Sequence, residues 1–370
     1  MNFILIGYRA SGKTSVGRWL AGLLQRPFYD TDALIRQQTG MTVKEIVLAG
    51  GWPAFRDAEK TAVAGLASCG PALAQPPAAA GADPAAAVLA AHRKIDDEYR
   101  RASMSPFTAV AVQYFEPGQT HRLGVSANGA VFDPAETMTN VIEMTLEAGS
   151  FVMSPVAGPR APVVLGKNAE GDVAVSPGTP LKARTAIGSR DVVGLGRYFV
   201  ESFPRPDSGN VRVFDPDAPA RRAFTGLKWF PPNLALQVKA VFEPIPNPDM
   251  VIIATSRGLK KEYFRVGVFR FAIDGTALAL TALAVSAVPK PGDELFVPFR
   301  DATTGLETYE VGRYLTLPLQ RAGSTYTLDF NAATNPLCNY SPYYNCPIPP
   351  KENRLAVPIR AGEMTYPKQH

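Results

Sequence analysis

The feature that constrains the fold most is the stretch Gly7 to Thr14, GYRASGKT, which directly follows the apolar run Phe3 to Ile6. It fits the pattern of a glycine, four arbitrary residues and then Gly-Lys-Ser/Thr. In that pattern backbone N–H groups wrap phosphates, the lysine reaches the β/γ-phosphates and the hydroxyl holds Mg²⁺. The apolar run predicts a buried strand, and Ser15 to Leu24 predicts a helix whose N-terminus points at the phosphates. The stretch therefore predicts nucleotide binding, with a purely structural glycine turn as the alternative.

Length and charge bound the classes of function. A chain of 370 residues is expected to form two or three domains, and its 46% hydrophobic content is that of a globular protein. The net charge of +5 is not clustered, since residues 1–65 hold eight Lys/Arg against five Asp/Glu and the remainder holds 30 against 28. No nucleic-acid interface is therefore predicted. No apolar run reaches the roughly 18 residues of a membrane span and no signal peptide precedes the first strand, so the intact chain is expected to be cytoplasmic.

Two carboxylates follow a second predicted strand, Pro27 to Tyr29. Asp30 and Asp32 are expected at the carboxyl end of that strand, which is where an open α/β sheet binds ligands. One carboxylate is suited to the metal ion and its water, and the other to a substrate hydroxyl. Alternatively, Asp32 only caps a helix over residues 33–38.

Two further helices are predicted after this point. Thr42 to Glu45 forms a capping box that opens the first of them, and Gly50-Gly51 stops it. The next helix carries Arg56. This side chain is suited to hold a carboxylate bidentately, although an exposed helical arginine is usually only solvated.

Four stretches in this order and spacing resemble the start of a shikimate kinase: Gly7–Thr14, Asp30–Asp32, Thr39–Ile46 and Trp52–Glu59. The resemblance implies an α/β P-loop fold. It also implies transfer of the γ-phosphoryl group of ATP to the 3-hydroxyl of shikimate, a step of aromatic amino acid biosynthesis that depends on positioning and charge stabilisation.

The resemblance also implies roles for individual residues. ATP is then cradled by Ala10, Ser11, Gly12, Lys13, Thr14 and Ser15. Mg²⁺ is held by Thr14, with Asp30 behind it. Lys13 and Asp32 are catalytic, while shikimate is bound through Asp32 and Arg56. Such a kinase continues for about another hundred residues with a lid, a second carboxylate-binding arginine and an adenine-binding segment. These are not found after about Ala64, so the kinase segment is expected to be truncated, with little or no activity.

The composition changes abruptly over residues 65–83, which are rich in alanine and proline and predict a linker. Within it, Leu66 to Cys69 resembles the lipobox at the end of a bacterial lipoprotein signal peptide. Because this motif is internal, export from here is not expected. We interpret it as a remnant of an exported protein that was joined to a kinase head. A helix is predicted next, capped by Asp83, begun by Pro84 and extending to about Arg101. On its inward stripe His92 is predicted to be a packing residue.

The remainder of the chain predicts a mainly-β sandwich or barrel, possibly in two lobes. Short apolar runs, several of them alternating, are separated by proline and glycine, as in residues 110–115, 141–146, 237–242, 250–254 and 263–271. The fold class is therefore multidomain. A partial P-loop domain over residues 1–64 is followed by the linker and by a helix plus β-rich domain over residues 84–370.

Dense motifs near the end are similar to an uncharacterised prokaryotic family, domain-of-unknown-function family 1684. The motifs are Phe224–Pro231, Phe299–Gly305, Thr308–Tyr309, Gly312–Tyr314, Leu328–Asn331, Asn335–Cys338, Cys346–Pro350, Glu352–Leu355 and Ala361–Glu363. This resemblance spans about residues 100–366 and implies no activity.

The residue types of the tail exclude some chemistry and leave two questions open. With His92, His121 and His370 as the only histidines, a histidine triad or a multi-histidine metal site is not expected. Cys338 and Cys346 enclose a seven-residue loop; they predict a disulfide in an exported domain and two free thiols in the cytosol. A polar set either lines a pocket or consists of turn and ion-pair fixtures at strand ends: Asp301, Asp329, Asn331, Arg354 and Glu363.

Two hypotheses of different classes result. In the first, the chain binds ATP and Mg²⁺, and shikimate is its small-molecule substrate. In the second, the function is carried by the β-rich domain, as a non-enzymatic binding or structural module of an exported protein.

Overall fold

The computed structural model describes residues 31–68, 83–135, 138, 140–159, 161–168, 171–174, 178–320 and 324–367. The chain divides into two compact units, residues 1–82 and 83–370. The strands predicted at Phe3–Ile6 and Pro27–Tyr29, the phosphate loop and the helix behind it lie outside the described residues, as do residues 69–82 of the predicted linker.

The first unit is described as two helices, α1 (Thr31–Thr39) and α2 (Val43–Ser68). Gly40 follows α1 with a φ of 71°, a left-handed conformation that glycine adopts without steric cost. α2 is interrupted at Gly51, whose φ of 72° breaks it into two helical pieces. Ile35 of α1 and the α2 residues Ile46, Phe55 and Ala62 form the buried core.

The capping box predicted at the start of α2 is confirmed. The Thr42 N–H donates to Glu45 Oε2 at 2.6 Å, and the Glu45 N–H donates back to Thr42 Oγ1 at 3.3 Å. These bonds satisfy N–H groups that have no partner inside the helix. The hydrogen bonds from Thr42 lower the pKa of Glu45.

The second unit begins with α3 (Pro84–Arg101), as predicted. The Asp83 side chain accepts from the Ala85 N–H at 3.0 Å, and Pro84 occupies the first turn. His92 is buried on the inward face, as expected for a packing residue. Its ring stacks on Trp229 with centroids 3.9 Å apart, and Nε2 donates to the Asn331 carbonyl at 2.8 Å. This contact holds α3 against the β-rich part of the unit.

Two antiparallel sheets follow α3 and pack on one core. The six-stranded sheet A has the order β1 (Ala109–Phe115), β11 (Gly209–Phe214), β10 (Tyr198–Pro204), β9 (Asp191–Leu195), β6 (Val163–Gly166) and β7 (Thr179–Pro180). The five-stranded sheet B has the order β3 (Gly129–Phe132), β2 (Thr120–Ser126), β4 (Asn140–Glu147), β5 (Ser150–Ala157) and β8 (Thr185–Ile187). Their inward apolar residues, such as Phe115 and Ile142, form one buried cluster, so this part is a sandwich.

The third sheet, C, lies in the C-terminal half of the chain. Its order is β16 (Arg313–Pro318), β15 (Glu294–Phe299), β14 (Thr276–Ala284), β13 (Lys260–Ile273), β12 (Gln237–Ala254) and β17 (Thr325–Asp329). All six strands contribute to a single core, which the C-terminal tail covers with Leu355, Ile359 and Ala361. Gly267 of β13 lies so close to β12 that an added Cβ would be 2.9 Å from the Glu243 carbonyl oxygen.

Short helical turns complete the second unit. They are α4 (Pro219–Arg222) and the 3₁₀ turns Pro106–Thr108, Leu234–Leu236, Phe330–Ala332, Leu337–Asn339 and Lys351–Asn353. The mainly-β prediction is confirmed, because each predicted apolar run lies in a strand and the strands group into sheets A/B and sheet C. In the part of the chain that the structure describes, no helix combines the length and the apolar character that crossing a membrane requires.

Candidate functional site

The predicted nucleotide site falls on residues outside the description. Residues 10–15 and Asp30 belong to this group, and the side chain of Asp32, in the first turn of α1, does as well. Of the predicted N-terminal site residues, Arg56 is therefore the one whose side chain the structure places. The roles of the others stay predictions.

Arg56 lies on the second piece of α2, after the break at Gly51. It pairs with Glu59 one turn later at 2.5 Å, and its guanidinium lies 5.7 Å from the ring centre of Phe55. The Arg56 side chain is 61% exposed, and an ion pair so open to solvent is easily exchanged for another anion. Arg56 therefore has the exposure that a carboxylate-binding role requires, provided that Glu59 releases it.

The predicted polar set in the tail does not form one pocket. Asp329 accepts from the backbone and side-chain amides of Asn331 at 2.9 and 2.8 Å and from Gln237 at 2.9 Å. Arg354 is exposed and pairs through its backbone with Arg300. These contacts fit the alternative interpretation, in which such residues fix turns at strand ends.

Asp301 belongs to a buried ion pair instead. Arg313 Nη2 lies 2.8 Å from Asp301 Oδ2, and both side chains are 0% exposed. Arg313 also donates to the carbonyl oxygens of Ile359 and Ala361 at 2.7 and 2.5 Å. Burial lowers the pKa of the guanidinium, and the charge of Asp301 opposes that effect. The pair fastens the C-terminal tail to sheet C.

Glu363, two residues beyond that attachment, is buried with 0% exposure. Its Oε2 accepts from the Asn335 N–H at 2.8 Å, and its Oε1 accepts from the Tyr340 hydroxyl at 2.5 Å. Burial raises the pKa of Glu363 to about 7, although the hydrogen bonds from Asn335 and Tyr340 pull it down. This carboxyl group therefore exchanges its proton near neutral pH.

Cys338 and Cys346 are free thiols that lie next to each other. The Cys338 N–H donates to Cys346 Sγ at 3.2 Å, and the Tyr309 hydroxyl lies 3.6 Å from Cys338 Sγ. The predicted disulfide stays a prediction. Tyr309 could not be predicted as a partner from the sequence, since it precedes Cys338 by 29 residues and no local motif connects the two.

A shallow cleft of about 490 Å³ opens beside sheet A. Arg197 lies in it and binds Asp215 Oδ2 at 2.9 Å and the Tyr198 hydroxyl at 2.9 Å. None of the described residues that line the cleft is a cysteine, serine or histidine. The cleft is thus a polar surface whose carboxylates, Asp215 and Asp217, lie beside Arg197 and Arg222.

Across the described ranges, no three His, Cys, Asp or Glu side chains are grouped so as to hold a metal ion. The predicted Mg²⁺ ligands Thr14 and Asp30 lie outside those ranges.

Comparison with known proteins identifies two segments. Residues 9–71 match the family model described as shikimate kinase, and residues 222–364 match the model described as protein of unknown function (DUF1684). The shikimate kinase of Syntrophus aciditrophicus is 51% identical over 65 residues, 18% of this chain and 33% of the relative. That of Moorella thermoacetica is 48% identical over 67 residues, 18% of this chain and 39% of the relative. The chain therefore spans between a third and two fifths of the length of these relatives.

A solved structure also matches. It is the solution NMR structure of an uncharacterized protein of Haloarcula marismortui, 38% identical, with 40% of this chain and 80% of that chain covered and a TM-score of 0.34. The motifs predicted a resemblance to the DUF1684 family over about residues 100–366, whereas the family model matches from Arg222 onward. Residues 222–364 of this chain match the DUF1684 family model, and residues 9–71 match part of the shikimate kinase model.

Proposed function

We propose that the N-terminal segment binds ATP with Mg²⁺ through the phosphate loop. The observation that carries the proposal is the shikimate kinase match over residues 9–71, which includes Gly12, Lys13 and Thr14 of the loop pattern. In this proposal Ala10 to Ser15 surround the phosphates, Lys13 neutralises the β/γ-phosphates, and Thr14 holds Mg²⁺ with Asp30 behind it. The bound metal ion offsets the charge of the phosphates.

Shikimate is the small molecule that the segment is proposed to recognise. Arg56 would hold the carboxylate of shikimate after leaving Glu59, and Asp32 would accept a hydrogen bond from its hydroxyls. The matched relatives are two and a half to three times longer than the aligned segment. Phosphoryl transfer depends on every positioning group, so we propose that this chain binds the ligands with little or no turnover.

The first prediction concerns Lys13. A titration of the full-length chain with a non-hydrolysable ATP analogue and Mg²⁺, followed by calorimetry, is expected to show saturable binding. Lys13→Ala is expected to weaken the affinity at least ~10-fold, because the charge facing the β/γ-phosphates is lost. Arg56→Lys is the matched control, because it keeps the positive charge but cannot form bidentate hydrogen bonds to a carboxylate. It should leave the nucleotide affinity unchanged and weaken shikimate binding. Equal affinities for the wild type and Lys13→Ala would remove the support for the phosphate loop.

A further inference from the structure

The loop between Cys338 and Cys346 is fixed by the surrounding fold. The Cys346 N–H donates to Ser256 Oγ at 3.0 Å, and the Ser256 N–H donates back to the Cys346 carbonyl at 2.9 Å. The Arg257 side chain donates to the Pro342 carbonyl. Arg212 of β11 donates to the Tyr343 carbonyl at 3.2 Å. Sheet A and the end of β12 therefore both hold the loop, and the two thiols stay adjacent without a covalent bond.

The environments of the two sulfurs differ. Cys346 is buried, whereas Cys338 is half-buried at the 3₁₀ turn Leu337–Asn339. The hydrogen bond from the Cys346 thiol lowers the pKa of Cys338 to about 6, and the hydroxyls of Ser256 and Tyr309 act in the same direction. The same shared hydrogen bond and burial raise the pKa of Cys346. Of the two sulfurs, Cys338 is therefore the one on which the thiolate form is favoured.

Positive charge also lies near the pair. Lys261 of β13 interacts electrostatically with both sulfurs, and Arg212 lies 3.9 Å from the ring centre of Tyr344 within the cysteine loop. Burial lowers the pKa of Lys261, and the negative charge at the cysteines opposes that effect. A thiolate that is partly accessible and lies near a cation such as Lys261 is the form in which cysteine reacts with disulfides.

We propose that Cys338 and Cys346 form a redox-active dithiol that reacts with low-molecular-weight disulfides, with Cys338 as the attacking thiol and Cys346 as the resolving thiol. The Cys338 thiolate attacks one sulfur of the small disulfide, whose S–S bond breaks and releases a thiolate. That thiolate takes the proton of the Cys346 thiol. The Cys346 sulfur then attacks Cys338 Sγ, the mixed disulfide breaks, and the second small thiolate leaves and is protonated by solvent. The protein loses two electrons and the proton of Cys346, and the small disulfide becomes two thiols, the second proton coming from solvent.

The test uses the full-length reduced chain and oxidised glutathione as the probe. After acid quenching and alkylation, trypsin releases one peptide, residues 322–351, that contains both cysteines and no internal lysine or arginine. In the wild type this peptide is expected to be lighter than the reduced, unalkylated peptide by two hydrogen masses and to carry no alkyl group. Cys69 lies on a separate tryptic peptide, residues 61–93, and serves as the internal comparison.

Variants separate the two roles. Cys346→Ser is expected to stop at a mixed disulfide between glutathione and Cys338. Cys338→Ser is expected to leave Cys346 unmodified or at least ~10-fold slower to react. The proposal is overturned if Cys346 in Cys338→Ser reacts as fast as Cys338 does in Cys346→Ser. It is also overturned if the wild-type peptide collects two glutathiones, or does not react at all while the urea-unfolded chain does.

A further variant keeps both thiols. Tyr309→Phe removes the hydroxyl 3.6 Å from Cys338 Sγ and is expected to slow the alkylation of Cys338 by iodoacetamide at pH 6 several-fold, with a smaller effect at pH 9. Tyr343→Phe, in the cysteine loop, is the matched control and should leave the alkylation rate unchanged. An equal rate at pH 6 for the wild type and Tyr309→Phe would contradict the stabilisation of a Cys338 thiolate by this hydroxyl.

Discussion

Replacing Arg313 by methionine is expected to lower the free energy of unfolding of the second unit by about 3–5 kcal/mol. Methionine fills a similar volume, so the loss comes from polar groups that remain without a partner. These are Oδ2 of the charged Asp301 carboxylate and the carbonyl oxygens of Ile359 and Ala361, which all accept from the guanidinium. The measurement is urea denaturation of the full chain followed by Trp229 fluorescence, with Trp19 and Trp52 replaced by phenylalanine.

A double-mutant cycle identifies the source of that loss. Asp301→Asn retains an oxygen that accepts from the Thr303 N–H and hydroxyl, bonds of 2.7 and 2.6 Å in the wild type. In the Arg313→Met background, Asp301→Asn is therefore expected to recover part of the stability, because no unpaired charge stays buried. Arg360→Met is the matched control. Arg360 also lies on the C-terminal tail, but its ion pair with Glu307 is exposed and should contribute little to the free energy of unfolding. If Arg313→Met and Arg360→Met lower the free energy of unfolding by similar, small amounts, the buried ion pair does not stabilise the attachment of the tail to sheet C.

The local elements of this chain could be predicted from sequence because their signals are local. The Thr42 to Glu45 box and the Asp83-Pro84 start each satisfy helix N–H groups within a few residues, and the structure shows the bonds at both. The alternating runs likewise predict strands, because one face of each strand is buried. The pairing of the strands into sheets A, B and C depends on contacts between distant residues, so the patterns did not supply it.

The polar set shows the same limit at the level of sites. Asp301, Asp329 and Glu363 have similar sequence neighbourhoods, with small or amide residues nearby. Their surroundings differ because Arg313, Gln237 and Tyr340 reach them from other elements. The cysteine pair was visible in the sequence, whereas the hydroxyls of Tyr309 and Ser256 that distinguish the two sulfurs come from separate loops. Residue types predicted the candidates, and only the fold distinguishes their roles.

Glu363 makes the stability of the second unit depend on pH in a defined direction. Its folded-state pKa of about 7 lies above the ordinary value of 4.5, because burial penalises the charged carboxylate. Between these values the folded state binds a proton that the unfolded state has released. The stabilisation is therefore fully present below pH 4.5 and is lost as the pH rises through 7. The loss between pH 5 and pH 8 amounts to about 2–3 kcal/mol.

Glu363→Gln is expected to remove this pH dependence. The glutamine oxygen still accepts from the Asn335 N–H, and its uncharged NH₂ group takes the place of the oxygen that accepts from the Tyr340 hydroxyl, which then has to turn and accept instead. We expect nearly equal stability of variant and wild type at pH 5, and greater stability of the variant at pH 8 by about 2–3 kcal/mol. Urea denaturation followed by Trp229 fluorescence measures this difference. Cys338, whose pKa is lowered to about 6, changes the stability with pH in the opposite direction, but it is present in both proteins and cancels in the difference. Glu307→Gln, at an exposed ion pair, is the control, and its stability should change with pH as that of the wild type does. If the stability difference between Glu363→Gln and the wild type is the same at both pH values, Glu363 is not the group that takes up the proton.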